Sequence, residues 1–211
     1  MVVLLEVSAD LEVVLQAILV ELLLVLEEVF REAAGARLGI PGPAVTRDRL
    51  AELGEAPSDD TLKALKVADR CANQDKTWEQ AMRPEQQTGI DAIFELLAAP
   101  VTCWQGADKK SSKAGDGFQP VARYVAAQRG YVQAMRAYIF ALQARFLGDQ
   151  LNGCKRFKIA IAESATASTA SEGLVEAFSS AEAKTIAATT AQNAMGIAKM
   201  ITDEYEKMSC N

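Results

Sequence analysis

Phe118-Gln-Pro-Val-Ala-Arg-Tyr-Val-Ala-Ala-Gln-Arg-Gly-Tyr-Val-Gln-Ala-Met-Arg-Ala-Tyr-Ile-Phe-Ala-Leu-Gln-Ala-Arg-Phe-Leu147 is the stretch that decides the fold. Within it Val121, Val125, Gln128, Val132, Met135, Ile139, Leu142 and Phe146 advance by alternating steps of four and three residues. That period keeps one stripe of a helix against a neighbouring helix, as in a coiled-coil seam. A polar residue in such a stripe, here Gln128, needs a hydrogen-bond partner across the interface. Gly130 lies inside the same run and weakens an isolated helix by roughly 1 kcal/mol relative to Ala.

Outward from this helix, the rest of the chain reads the same way. Of 211 residues, half are apolar, and only 13 Gly and 6 Pro interrupt them. Alternating β-branched runs are nearly absent, so helix is favoured over sheet. The expected fold is all-α, a bundle of about five to seven helices in one domain spanning 1–211, with 118–147 and 171–208 as its two long packed helices. Val175, Ile186, Ile197 and Met208 recur every 11 residues in the second of these, a period that keeps one face of a nearly straight helix aligned. Ile90, Ile93, Phe94 and Leu97 mark a shorter helix that Pro100 is expected to end. Gly106 to Gly117, polar and bracketed by glycines, reads as a flexible loop. Residues 36–57 read as a Pro/Gly linker carrying a short helix from Thr46 to Leu53.

Residues 1–35 form an expected hydrophobic helix. The stretch has no basic start and no clean small-residue cleavage site, so it is not read as a secretory signal. Gln16 and Glu21 interrupt it before an uncharged run of about 18 residues accumulates, so it is a poor transmembrane span. On these grounds a cytoplasmic location is favoured.

The net charge is −6, which gives the whole chain no cause to bind nucleic acid. The charge is uneven. Residues 1–30 hold Glu6, Asp10, Glu12, Glu21, Glu27 and Glu28 and no base, whereas 118–158 hold seven Arg or Lys against Asp149 alone. Acidic and basic helices packed in one bundle would account for this, and so would a basic face for an acidic partner.

Reaction chemistry is poorly represented. There is no histidine, which removes the commonest general base and metal ligand. Cys71, Cys103, Cys154 and Cys210 are widely spaced and form no C-x-x-C pair, so they read as reduced thiols, with two disulfides as the alternative. Lys109-Lys110-Ser111 follows Asp108 rather than the Gly of a phosphate loop. The carboxylates lack the Glu-x-x-His pairs of a di-metal bundle. Catalytic residues, cofactor and metal are therefore expected to be absent.

Tyr124, Tyr131 and Tyr138 repeat every seven residues on one border of the seam, and Arg129 and Arg136 on the other. Rings beside guanidinium groups make a stacking platform for a partner, although such tyrosines more often bury their rings at the rim of a helix interface. Phe140 and Leu147 lie off the seam, so this helix is either covered on a second side or exposes a patch. These seven residues form the candidate interaction surface. The expected function is a non-enzymatic interaction or scaffold protein with a protein partner or a second copy of itself, and no small-molecule substrate. A membrane-active bundle using the apolar 1–30 segment is the alternative.

Overall fold

The computed structural model describes residues 45, 48, 49, 52, 59–81, 89–208 and 210. The 1–35 helix and most of the 36–57 linker lie outside the described residues, although Val45, Asp48, Arg49 and Glu52 are helical. The described helices are α1 (Asp59–Ala81), α2 (Ile90–Leu96), α3 (Ala98–Ser111), α4 (Gln119–Phe146), α5 (Gln150–Ser171) and α6 (Ala181–Lys207). No strand occurs among the described residues, and the all-α bundle expected from the sequence is what forms.

Helix α4 is the axis. A 3-10 turn (Asp116–Phe118) feeds it and Pro120 occupies its first turn, where the missing N–H breaks no helical hydrogen bond. Val121, Val125, Val132, Met135, Ile139 and Leu142 are all buried, so the seam is occupied within a single chain as far as Leu142. Gln128, the polar member of the seam, donates from Nε2 to Thr190 Oγ1 of α6 at 3.0 Å.

The main partner of α4 is α5, which the sequence reading had not singled out. The expected 171–208 helix starts later, at Ala181, and its first residues are the end of α5 and the turn that follows. Helix α5 ends at Ser171, and Gly173 adopts φ +61°, a left-handed geometry that stops a helix cheaply only at residues such as glycine. Ser180 then caps α6 by accepting from Ala183 N–H at 3.2 Å. Ile186, Ile197 and Met208 do lie buried along one side of α6 or its cap, with Val175 in the preceding loop.

Helices α4 and α5 run antiparallel and approach closely. A Cβ on Gly130 would lie 2.8 Å from both the Ala167 amide nitrogen and the Glu163 carbonyl oxygen. The glycine that weakens α4 alone therefore permits the backbones to meet. Ala127, Ala134, Ala160 and Ala167 are fully buried and give the interface its small-residue lining.

On the opposite flank α1 packs on α3 and α3 on α4, with Trp78 of α1 reaching Tyr131 of α4. The segment expected to loop at 106–117 is helical through Ser111. Ala107 and Ser111 are buried there, so one face of a polar sequence is held by packing. Pro100, expected to end a helix, instead sits in the first turn of α3, where proline is tolerated.

The cysteines, expected as thiols, are paired: Cys71 with Cys103, joining α1 to α3, and Cys154 with Cys210, joining α5 to the chain beyond α6. The pairing could not be read from spacing, because the folded helices bring together residues 32 and 56 positions apart.

Candidate functional site

The three tyrosines belong to the core and not to a surface. Tyr124, Tyr131 and Tyr138 are buried, and each ring meets an aromatic of a different helix. Tyr124 meets Trp104 of α3 edge-on at 6.1 Å, Tyr131 meets Trp78 of α1 at 6.0 Å, and Tyr138 meets Phe157 of α5 edge-on at 5.7 Å. The seven-residue repeat thus records three successive helix contacts of α4. Burial pushes the Tyr131 and Tyr138 hydroxyls above the ordinary phenol range.

Between the tryptophans lies Asp75, 3 % exposed. Its carboxylate accepts from Trp78 Nε1 at 3.1 Å and from Trp104 Nε1 at 2.8 Å. Burial raises its pKa to about 6, against the opposing pull of the two indole hydrogen bonds. Two aromatic hydrogen-bond donors and a disulfide one turn away enclose this acid. Through these two hydrogen bonds Asp75 and Trp78 of α1 are clamped to Trp104 of α3.

The five arginines of 118–158 divide into two groups. Arg129 pairs with Asp108 of α3 at 2.7 Å, Arg145 lies 3.6 Å from Glu204 of α6, and Arg123 donates to the Glu172 carbonyl. Arg129 is therefore paired and is not a free surface cation. Arg136 and Arg156 form neither an ion pair nor a hydrogen bond among the described residues. Each instead lies against a ring: Arg136 Cζ is 4.5 Å from the Phe94 centroid, and Arg156 Cζ is 4.3 Å from that of Phe140. The two rings stack on each other at 5.4 Å with 29° between their planes.

The four side chains form a continuous ladder, Arg136–Phe94–Phe140–Arg156, contributed by α2, α4 and α5. It borders a groove of about 330 Å³, which Gln133, Ile159 and Glu163 also line. Ile159 is 44 % exposed. The Arg136 Nε and Gln133 Oε1 atoms are buried beside the groove without a hydrogen-bond partner among the described residues. A guanidinium stacked face-on keeps its in-plane N–H groups available for an anion.

Of the seven expected surface residues, only Arg136 and Phe140 meet in this groove. Leu147 stands apart, 72 % exposed at the α4–α5 turn beside Phe146 and Leu151. Arg136 and Phe140 are four apart and so share a helix face, which made half of the ladder visible in the sequence. Phe94 was read only as part of the apolar face of the 90–97 helix and Arg156 only as one of the basic residues of 118–158, because they reach the groove from α2 and α5 through tertiary structure. Among the described residues no group of three or more His, Cys, Asp or Glu is placed to hold a metal ion, and no helix is long and apolar enough to cross a membrane. No family model, curated protein or solved structure matches the chain.

Proposed function

We propose that the chain is a non-enzymatic interaction protein that takes a protein partner on the α2–α4–α5 face. The observation that carries this reading is the open groove with two guanidinium groups that lack an ion-pair partner among the described residues. The groove combines charge, aromatic faces and exposed aliphatic surface, which recognise a partner. Self-association through the α4 seam is not part of the proposal, because Val121 to Leu142 of the seam are already covered by the same chain. A second copy would have to use another surface, such as the exposed Phe146, Leu147 and Leu151 at the α4–α5 turn. The two cystines support action in an oxidising compartment rather than the cytoplasm.

The test compares wild type with the double charge reversal Arg136→Glu and Arg156→Glu in affinity capture and in light scattering after size exclusion. The expected result is a partner retained by wild type and released by the variant at an unchanged melting temperature. A chain that is strictly monomeric, and that captures nothing sensitive to the reversal, would remove the reading.

A further inference from the structure

The groove also specifies the chemistry of what it binds, an inference that rests on its being the recognition surface. We infer that the Arg136–Arg156 groove receives the carboxylate of an acidic side chain in a peptide, flanked by an apolar residue. The charge argument comes first. Arg136 and Arg156 bring two positive charges to the groove, and Glu163 is the one acid among its described lining residues. The balance suits a single negative charge, and Glu163 opposes a doubly charged phosphate more strongly than a carboxylate. The geometry comes second. Arg136 Cζ and Arg156 Cζ lie 4.5 and 4.3 Å from the Phe94 and Phe140 centroids, so each guanidinium group already rests on a ring and part of its side-chain freedom is lost before binding. The surroundings come third. The exposed flank of Ile159 and the Phe140 ring offer an apolar seat beside the charges, and about 330 Å³ holds one or two side chains rather than a whole helix.

The probe is the blocked peptide acetyl-Leu-Phe-Glu-Leu-amide, titrated into the isotope-labelled, oxidised full chain and followed by amide chemical shifts. The control is the same peptide with Gln in place of Glu. Single-site saturation is expected, with shifts centred on α2, the middle of α4 and the facing turns of α5. The Glu peptide should bind about tenfold more tightly than the Gln peptide, the difference a charge-assisted pair supplies. Arg136→Gln and Arg156→Gln should each remove most of that difference, and Glu163→Gln should tighten binding. Should an arginine variant fail to fold, salt serves in its place. Raising salt from about 50 to about 500 mM should weaken the Glu peptide on wild type and leave the Gln peptide nearly unchanged.

Equal affinity for the two peptides, or no saturation, would overturn the inference. So would hydrocinnamate binding in the groove where the peptide does not, since the site would then belong to small acids. None of these results depends on capturing a natural partner, so they separate this inference from the broader interaction reading.

Discussion

At the residue scale, two residues carry more than their types suggest. Asp75 is a buried acid whose proton affinity is raised to about 6 by burial, despite two indole donors. Its ordinary value of 3.8 applies in the unfolded chain. Between these values the folded state holds a proton that the unfolded state has lost. The stability that this residue contributes is therefore complete below pH 3.8 and is lost as pH rises through about 6. The difference corresponds to about 3 kcal/mol, as an order of magnitude. Denaturant unfolding at a series of pH values should show this downward slope in wild type. Asp75→Asn should flatten it, because the neutral amide does not titrate. Gly130 is the second case. In an isolated helix Gly130→Ala would stabilise, but here the added methyl meets the Ala167 nitrogen and Glu163 oxygen at 2.8 Å. Both are backbone atoms and cannot rotate away, so α4 and α5 must separate. The expected loss is about 1–3 kcal/mol, measured as a fall in the denaturation midpoint. A gain in stability would show that the two helices approach less closely.

At the element scale, the disulfides and the breaks between helices set what could be read in advance. The seam of α4 was legible because burial on one side of a helix imposes a local period, and Gln128 declared its need for a partner that Thr190 meets. The end of α5 was partly legible, as Gly173 offered a place to stop, but the 11-residue spacing ran across the break and suggested continuity. That Gly106–Ser111 is helical was not legible, since its order comes from Ala107 and Ser111 packing within the bundle rather than from its own composition. The groove was half legible: Arg136 and Phe140 share a face, while Phe94 and Arg156 reach it through tertiary structure. Cystine pairing was beyond the sequence altogether. It has a measurable weight. Cys71–Cys103 and Cys154–Cys210 close loops of 32 and 56 positions, and chain-entropy arguments assign each about 4 kcal/mol. Replacing Cys71 and Cys103 together by Ser should loosen α1 and α3, and raise hydrogen exchange in those helices more than in α5 and α6. The Cys154, Cys210 double replacement should act on α5 and the segment following α6. Equal exchange everywhere in both variants would mean that the staples act on the chain as a whole.

At the scale of the whole molecule, the question is whether two flanks sharing one helix behave as one body. Helices α1 and α3 lie on one side of α4, and α5 and α6 on the other. The buried residues nevertheless form a continuous cluster, from Cys71 and Trp78 through Tyr131 and Ile139 to Phe157 and Ile201. Tyr138 extends that continuity, since its ring leads from α4 to Phe157, which in turn lies 6.3 Å from Tyr205 of α6. The ring contacts of Tyr124 and Tyr131 connect the other flank to the same helix. Loss of either flank would expose the matching side of α4, so neither can leave without a large apolar cost. Both tryptophans, Trp78 and Trp104, sit on the α1–α3 side and are fully buried, so fluorescence reports that flank while far-ultraviolet dichroism reports all helices. With both disulfides intact, the two probes are expected to give coincident denaturant transitions, the behaviour of a single cooperative unit. A fluorescence transition well ahead of the dichroism would show that the α1–α3 flank opens by itself. The groove would then be at risk as well, because Phe94 enters from α2 on that flank, and peptide affinity should fall in step with the earlier transition. If the transitions coincide, the Arg136–Phe94–Phe140–Arg156 ladder is as stable as the bundle that builds it.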